Sequence, residues 1–190
     1  MNNSMNTSIG ALEFTSISRG MYIADAIVKK ADVEIIYFKT ICPGKFLIIV
    51  SGDEGEIDTA IDFGISIAGS ALFDSFKVHA VSKAIINGIK SKYNPVERPD
   101  AVAVVETRKV CTGIRVLDLM LKAADVTLVR IYLAFTIGGK LVFIVNGPVS
   151  SIEHGINECK KLLSKAESEN IAVIPSPNID ILDNLLKSKG

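Results

Sequence analysis

The sequence predicts an α+β fold built from two tandem copies of one module, each running β-α-β-β-α-β. Three observations carry this. The chain matches itself at a nearly constant spacing, helical and strand periodicities recur in the same order in both halves, and a polar stretch with two prolines separates them. Residues 10–40 align with 103–133 at an offset of 93, which places Glu13 on Glu106, Gly20 on Gly113, Asp25 on Asp118, Lys29 on Lys122 and Ala31-Asp32-Val33 on Ala124-Asp125-Val126. A two-residue insertion then changes the offset to 95, and Gly44-Lys45 meets Gly139-Lys140, Val50 meets Val145, Gly52 meets Gly147, Ile57 meets Ile152 and Ile61 meets Ile156. An ordered series with one small gap marks a duplication. The boundary is 91–99, a linker by composition.

Within each copy the first strand is an apolar run, Ile9–Thr15 and Ala101–Thr107. A helix follows, because Ile17, Met21, Ala24, Ile27, Val28 and Ala31, and their counterparts Val110, Ile114, Leu117, Met120, Leu121 and Ala124, recur at helical spacing. Two β-branched and aromatic runs come next, Val33–Ile41 with Phe46–Gly52 around Pro43-Gly44, and Val126–Phe135 with Leu141–Gly147 around Gly138-Gly139. Each pair reads as a hairpin. A second helical stripe, Ile57, Ile61, Gly64 and Ala68, corresponds to Ile152, Ile156, Cys159 and Leu163. A last strand, Phe73–His79 or Asn170–Ile174, and a short helix end each copy. This is the ferredoxin-like split βαβ order, with two helices on one face of an antiparallel sheet.

Apolar residues make up 48% of the chain and charged residues 22%, so a core can form. Lysine plus arginine equals aspartate plus glutamate at 21 each, and zero net charge argues against binding nucleic acid, which needs a basic surface. The polar first eight residues lack the features of a signal peptide. The longest apolar runs, such as Phe46–Val50, are far short of the roughly 18 residues of a membrane span. Three cysteines without an export signal point to a reducing, cytosolic setting.

Ile9-Gly10-Ala11-Leu12-Glu13, the helix ending in Lys29-Lys30-Ala31-Asp32-Val33, and the Gly44-Lys45 hairpin leading to Val50-Ser51-Gly52-Asp53 together resemble the bacterial microcompartment shell domain. The pattern recurs in the second half, so the chain resembles the tandem shell proteins, whose trimers imitate the hexagonal tiles of single-domain relatives. The resemblance implies two unpermuted shell domains, 9–90 and 100–187, in a homotrimer that contacts other shell proteins. It implies a place in the microcompartment shell, in the cytoplasm, and no enzymatic activity. Lys39-Thr40-Ile41-Cys42-Pro43-Gly44-Lys45-Phe46 and Ala134-Phe135-Thr136-Ile137-Gly138-Gly139-Lys140 are most similar to the propanediol-utilisation type. In that family the cysteine of the first hairpin loop faces the central pore, and three subunits share a [4Fe–4S] cluster. Carried over, the metal ligand is Cys42. The pore loops are Ile41, Cys42, Pro43, Gly44 and Lys45 from the first copy, and Phe135, Thr136, Ile137, Gly138 and Gly139 from the second. Lys29 and Lys122 fall where shell domains place a tile-edge lysine, and each is equally well placed to complement the helix dipole. Encapsulated redox enzymes are the partners such a cluster implies.

The chemistry constrains that reading. A [4Fe–4S] cluster normally takes four thiolates, and this chain has three cysteines with no Cys-x-x-Cys. A threefold axis changes the arithmetic, because one loop cysteine is then supplied three times. Gly44 and Pro43 suit a tight, stiff loop, and Lys39 and Lys45 favour an anionic cluster. The alternative for Cys42 is an ordinary turn cysteine. Cys159 falls on an apolar stripe and is expected in the core, whereas Cys111, on the side of Arg115, Asp118 and Lys122, is expected at a surface or interface. His79 and His154 show no metal-ligand spacing between them and are expected in solvent. Glu13 and Glu106 recur at equivalent strand ends and are expected to anchor each module's hydrogen bonds. No Gly-x-Ser-x-Gly, Walker loop or Gly-x-Gly-x-x-Gly is present. Three functions remain open from the residues: a shell tile whose pore carries a cluster for electron transfer or for cluster delivery to enzymes inside, a metal-free tile with a metabolite-conducting pore, and a ferredoxin-like regulatory trimer that binds a small effector.

Overall fold

Strand β1 (Ser8–Phe14) is buried along its whole length, which is why its residues are apolar with only Ser8 and Glu13 as exceptions. Helix α1 (Ile17–Lys30) follows, capped by the Ser16 hydroxyl, which accepts from the Arg19 N–H. Strands β2 (Glu34–Ile41) and β3 (Lys45–Gly52) form a hairpin, and α2 (Glu54–Ala68) returns through a 3₁₀ turn to β4 (Leu72–Val78). The sheet order is β2-β3-β1-β4, antiparallel throughout. This is the split βαβ arrangement, with β3 inserted between β1 and β2. The computed structural model describes residues 7–93, 100–134, 137–163 and 170–187. Most of the proline-containing boundary and two residues of the expected second pore loop, Phe135 and Thr136, lie outside the described residues.

The second copy repeats the plan with β5 (Ala101–Thr107), α4 (Val110–Ala123), β6 (Thr127–Leu133), β7 (Leu141–Gly147), α5 (Val149–Cys159) and β8 (Ile171–Pro175), in the sheet order β6-β7-β5-β8. Helix α6 (Ile179–Lys187) lays Leu182 on Val102, Val129 and Ile144. By packing, the chain divides into units 1–83 and 84–190. Helix α3 (Lys83–Ile89) follows β4 in sequence, yet Gly88 packs close to Leu128 and Ile131, and the Tyr93 hydroxyl bonds the Ile131 carbonyl. No helix among the described residues is long and apolar enough to cross a membrane.

The core of the first unit lies between the two helices and the sheet, where Phe14, Phe46, Ile48, Ile27, Ile57 and Ile61 are fully buried. The expected α2 stripe is inward at Ile57, Ile61, Gly64 and Ala68. The α1 stripe needs one correction. Met21 is 42% exposed, and the inward arc instead centres on Gly20, Ile23, Ala24 and Ile27. A Cβ on Gly20 would come within 2.7 Å of Phe46 and 2.9 Å of Phe14, so the helix approaches the sheet along that line and Met21 is rotated to the rim.

The duplication repeats this close approach. A Cβ on Gly113, the partner of Gly20, would lie 2.7–2.8 Å from Leu141 side-chain atoms. Gly20→Ala and Gly113→Ala are each expected to destabilise by about 1–3 kcal/mol, the usual range for overpacking, despite alanine's better helix propensity. Thermal unfolding tests this, and a stabilised variant would contradict the packing described.

Candidate functional site

The loop carrying Cys42 is the tip of the β2–β3 hairpin. Ile41 pairs with Lys45 at the last rung, leaving Cys42-Pro43-Gly44 as a three-residue connection. Gly44 sits at φ 69°, in the left-handed region that favours glycine, and it closes the turn as three-residue hairpins require. A Cβ there would meet open space, so the glycine serves the backbone conformation and relieves no clash. The Cys42–Pro43 peptide is cis. Ile41 is buried under the tip, Cys42 is half-buried, and Pro43 and Gly44 are exposed. The apolar end of the hairpin thus anchors a tip that presents one thiol.

The two expected cationic neighbours of that thiol are engaged elsewhere. The Lys45 ammonium turns inward to Glu13 Oε1 at 2.9 Å and lies 3.2 Å from the centroid of the Phe73 ring. Lys39 Nζ lies over Tyr37, 5.5 Å from its centroid. Lys45 therefore holds the base of the loop instead of facing its tip. The pair is conspicuous because Glu13 is wholly buried and the Lys45 side chain is only 16% exposed. Its repeat counterpart, Glu106 with Lys140 at 3.0 Å, is 40% and 48% exposed. The two recurrent glutamates do anchor lysines across each module, in one case inside the protein and in the other at its surface.

The second hairpin ends differently. Between Leu133 and Leu141, the Ala134 N–H bonds the Lys140 carbonyl at 2.8 Å, and the Gly139 N–H bonds the Ala134 carbonyl at 3.3 Å. Gly138 and Gly139 take φ of 70° and 78°, and Ala134 shares the left-handed region at 50°. Ile137 is half-buried, Gly138 exposed and Gly139 buried. This longer loop offers hydrogen-bonded backbone where the first offers a thiol.

The other cysteines are interior. Cys159 is fully buried, donates its S–H to the Val116 carbonyl at 3.4 Å, and has its pKa pushed up to about 12 by burial. Cys111 is also fully buried, which corrects its expected surface position. The periodicity of α4 identifies the face turned to the sheet, but its flank bearing Cys111, Ile114 and Asp118 is covered as well. The equivalent flank of α1, with Ser18, Met21 and Asp25, is exposed. With a water-soluble thiol reagent, one cysteine per native chain is expected to react quickly, with the other two reacting at the unfolding rate. Peptide mapping of the label should find Cys42, and early labelling at Cys159 would contradict this account.

Lys29 and Lys122 each close an i,i+4 ion pair of 2.6 Å, with Asp25 and Asp118 respectively. They stand in the last turns of α1 and α4, where a cation also complements the helix dipole.

Comparison with known proteins agrees with the duplicated fold. The BMC domain model matches residues 8–81 and again 101–177. A curated relative from Citrobacter freundii, named bacterial microcompartment shell protein PduT, is 43% identical over 152 residues, spanning 80% of this chain and 82% of its own. A solved structure of a microcompartments protein from Desulfitobacterium hafniense DCB superposes with a TM-score of 0.84 at 31% identity, covering 94% of this chain and 98% of that one. A fused permuted hexameric shell protein of the RMM microcompartment superposes with a TM-score of 0.61 over 82% of this chain and 83% of its own; at 15% identity it shares the fold alone. The chain belongs to the BMC-domain family and carries two BMC domains in tandem.

Proposed function

We propose that this chain is a tile of a bacterial microcompartment shell in which Cys42 from three copies holds one [4Fe–4S] cluster. The shell assignment rests on the two family domains and on the shell-protein relative. The protein is structural and not an enzyme. The observation carrying the cluster reading is that Cys42 is the one cysteine among the described residues open to solvent, and that it stands at the tip of a hairpin closed by the Ile41–Lys45 rung.

The donor set tests the fit. One chain alone brings a single solvent-open thiol to a cluster, because Cys111 and Cys159 are both buried. One accessible thiolate per chain fits a cluster shared about a threefold axis, with three cysteines as ligands and the fourth iron left to an external ligand. Bound there, the cluster would supply one-electron transfer across the tile. This chain's residues would hold and orient it. Ile41 fixes the loop from beneath, Gly44 permits the turn, and Lys45 ties the first residue of β3 to Glu13.

In this reading the asymmetry between repeats has a use. A single-domain hexamer would bring six equivalent tips to its axis, while a tandem trimer brings three thiols and three cysteine-free loops. Lys29 and Lys122 are the residues for lateral tile contacts. Encapsulated redox enzymes are the natural electron partners. The test is anaerobic purification followed by iron and sulfide analysis and electron paramagnetic resonance. A brown protein with equal iron and sulfide supports the proposal. A colourless trimer after full reconstitution contradicts the cluster while leaving the shell role intact, and would favour a metal-free, metabolite-conducting tile.

A further inference from the structure

Away from the hairpin tip, Glu54 and Asp58 on α2 and His79 just beyond β4 bring one ligand atom each to within 4.8 Å of one another. We propose that these three side chains form a binding site for a divalent transition-metal ion of the zinc type, independent of Cys42. Four features of the geometry support this.

First, the set has suitable chemistry: two carboxylates and an imidazole, with the fourth position open to water. His79 Nε2 lies 3.6 Å from Asp58 Oδ1. Two ligands of a tetrahedral zinc stand about 3.3 Å apart, given bonds of about 2.0–2.1 Å, so the His79–Asp58 pair is a few tenths of an ångström from that spacing, and the exposed Glu54 side chain, within 4.8 Å of both, swings in to complete the set.

Second, the imidazole is already oriented. His79 Nδ1 and the buried Ser8 hydroxyl are 3.2 Å apart, which leaves Nε2 towards Asp58. A hydrogen bond from the far ring nitrogen is the device by which metal-binding histidines are held.

Third, the fold does not require this cluster. The repeat places Val149, Glu153 and Asn157 where the first copy has Glu54, Asp58 and Asp62. The sheet registers set Val173 beside Ala103 where Lys77 stands beside Gly10, and Pro175 beside Ala101. The second copy makes the same helix–sheet seam with neither histidine nor lysine at these strand positions, over a cleft lined by Glu153, Ile156, Asn157, Lys160, Ile171 and Val173.

Fourth, the site already attracts a cation of the protein's own. Lys77 Nζ lies 2.8 Å from Asp58 and 3.0 Å from Asp62, and its hydrogen bond holds the Asp58 carboxyl below the usual range. An incoming metal would take Asp58 and leave Lys77 paired with Asp62, so no ammonium is stranded. Lys77 is thus a competitor of the metal.

The competition predicts an effect of unusual sign. Calorimetric titration of the full chain with zinc chloride, on the unaltered protein and on Cys42→Ser to exclude thiol binding, should show one site per chain that survives Cys42→Ser. In that background His79→Ala and Asp58→Asn should each weaken binding tenfold or more, Ser8→Ala should weaken it on the order of tenfold through loss of the orienting bond, and Lys77→Met should tighten it. The chain has two histidines, so ¹⁵N spectra of the imidazoles provide a second readout. Zinc should shift His79 at Nε2 and spare His154. Zinc uptake unchanged by His79→Ala, a shift confined to His154, or no uptake by any variant overturns the proposal.

Discussion

Cys42→Ser is expected to remove the proposed cluster altogether while leaving the fold intact. Serine is nearly isosteric with cysteine, and Cys42 lies half-buried in a loop whose turn depends on Gly44 and whose base depends on Ile41 and Lys45. Surface substitutions of this kind stay within about 0.5 kcal/mol of the parent stability. The ligand change, in contrast, is complete, because the described residues offer no other accessible thiol: Cys111 and Cys159 are buried, and Cys159 resists ionisation to about pH 12. Anaerobically reconstituted Cys42→Ser should therefore be colourless, silent in electron paramagnetic resonance, and equal in melting temperature to the cluster-free parent protein. A brown Cys42→Ser protein would place any cluster elsewhere.

The second large effect concerns the base of the same loop and has an internal control. Lys45→Met leaves the Glu13 carboxylate buried without the ammonium 2.9 Å away that now faces it. Removing one partner of a buried pair typically costs about 3–5 kcal/mol, because the remaining charge is desolvated. The loss of the ammonium from the Phe73 ring adds to this. Lys140→Met removes the equivalent lysine from a pair that is nearly half exposed, where water replaces the ammonium and the cost is about 0–1 kcal/mol. The same substitution at two repeat-equivalent positions is therefore expected to give melting-temperature losses that differ severalfold. Lys45→Met combined with Glu13→Gln should recover most of the deficit, since the pair is then neutral. Equal losses in the two single variants would contradict the burial difference.

Much of this architecture was legible because duplication supplies its own alignment. The apolar runs at Ala101–Thr107 and Leu141–Gly147 are observed as β5 and β7 with those bounds, α2 buries its expected stripe, and α5 buries Ile152, Ile156 and Cys159 but ends there, leaving the expected Leu163 beyond the helix. The tip of the first hairpin was legible through Pro43-Gly44 beside an apolar strand end. What escaped the sequence depended on tertiary register. Periodicity centred α1 too near Met21, since it could not show that Gly20 admits the sheet so closely. It set Cys111 outside because it sees one face of a helix and not what covers the flanks. Glu13 and Lys45 each recur in the repeat, yet their pairing joins β1 to β3 across 32 positions, and strand register alone reveals it.

His79 illustrates the same limit. Beside His154 it has no ligand spacing, and only the β1–β4 ladder brings it to Ser8 and α2. A signal was available in Glu54, Asp58 and Asp62, three carboxylates at i, i+4 and i+8 on one helix face. Without the neighbouring strand, that pattern reads as an ordinary solvated face.

The claim at the centre of this account is that one thiol per chain suffices because three chains share it. Native mass spectrometry of the anaerobically reconstituted protein, combined with iron analysis, measures that directly. The account predicts one [4Fe–4S] cluster for every three chains, released as a unit when Cys42 is replaced by serine. One cluster per chain, or iron bound to a species that is not trimeric, would contradict it.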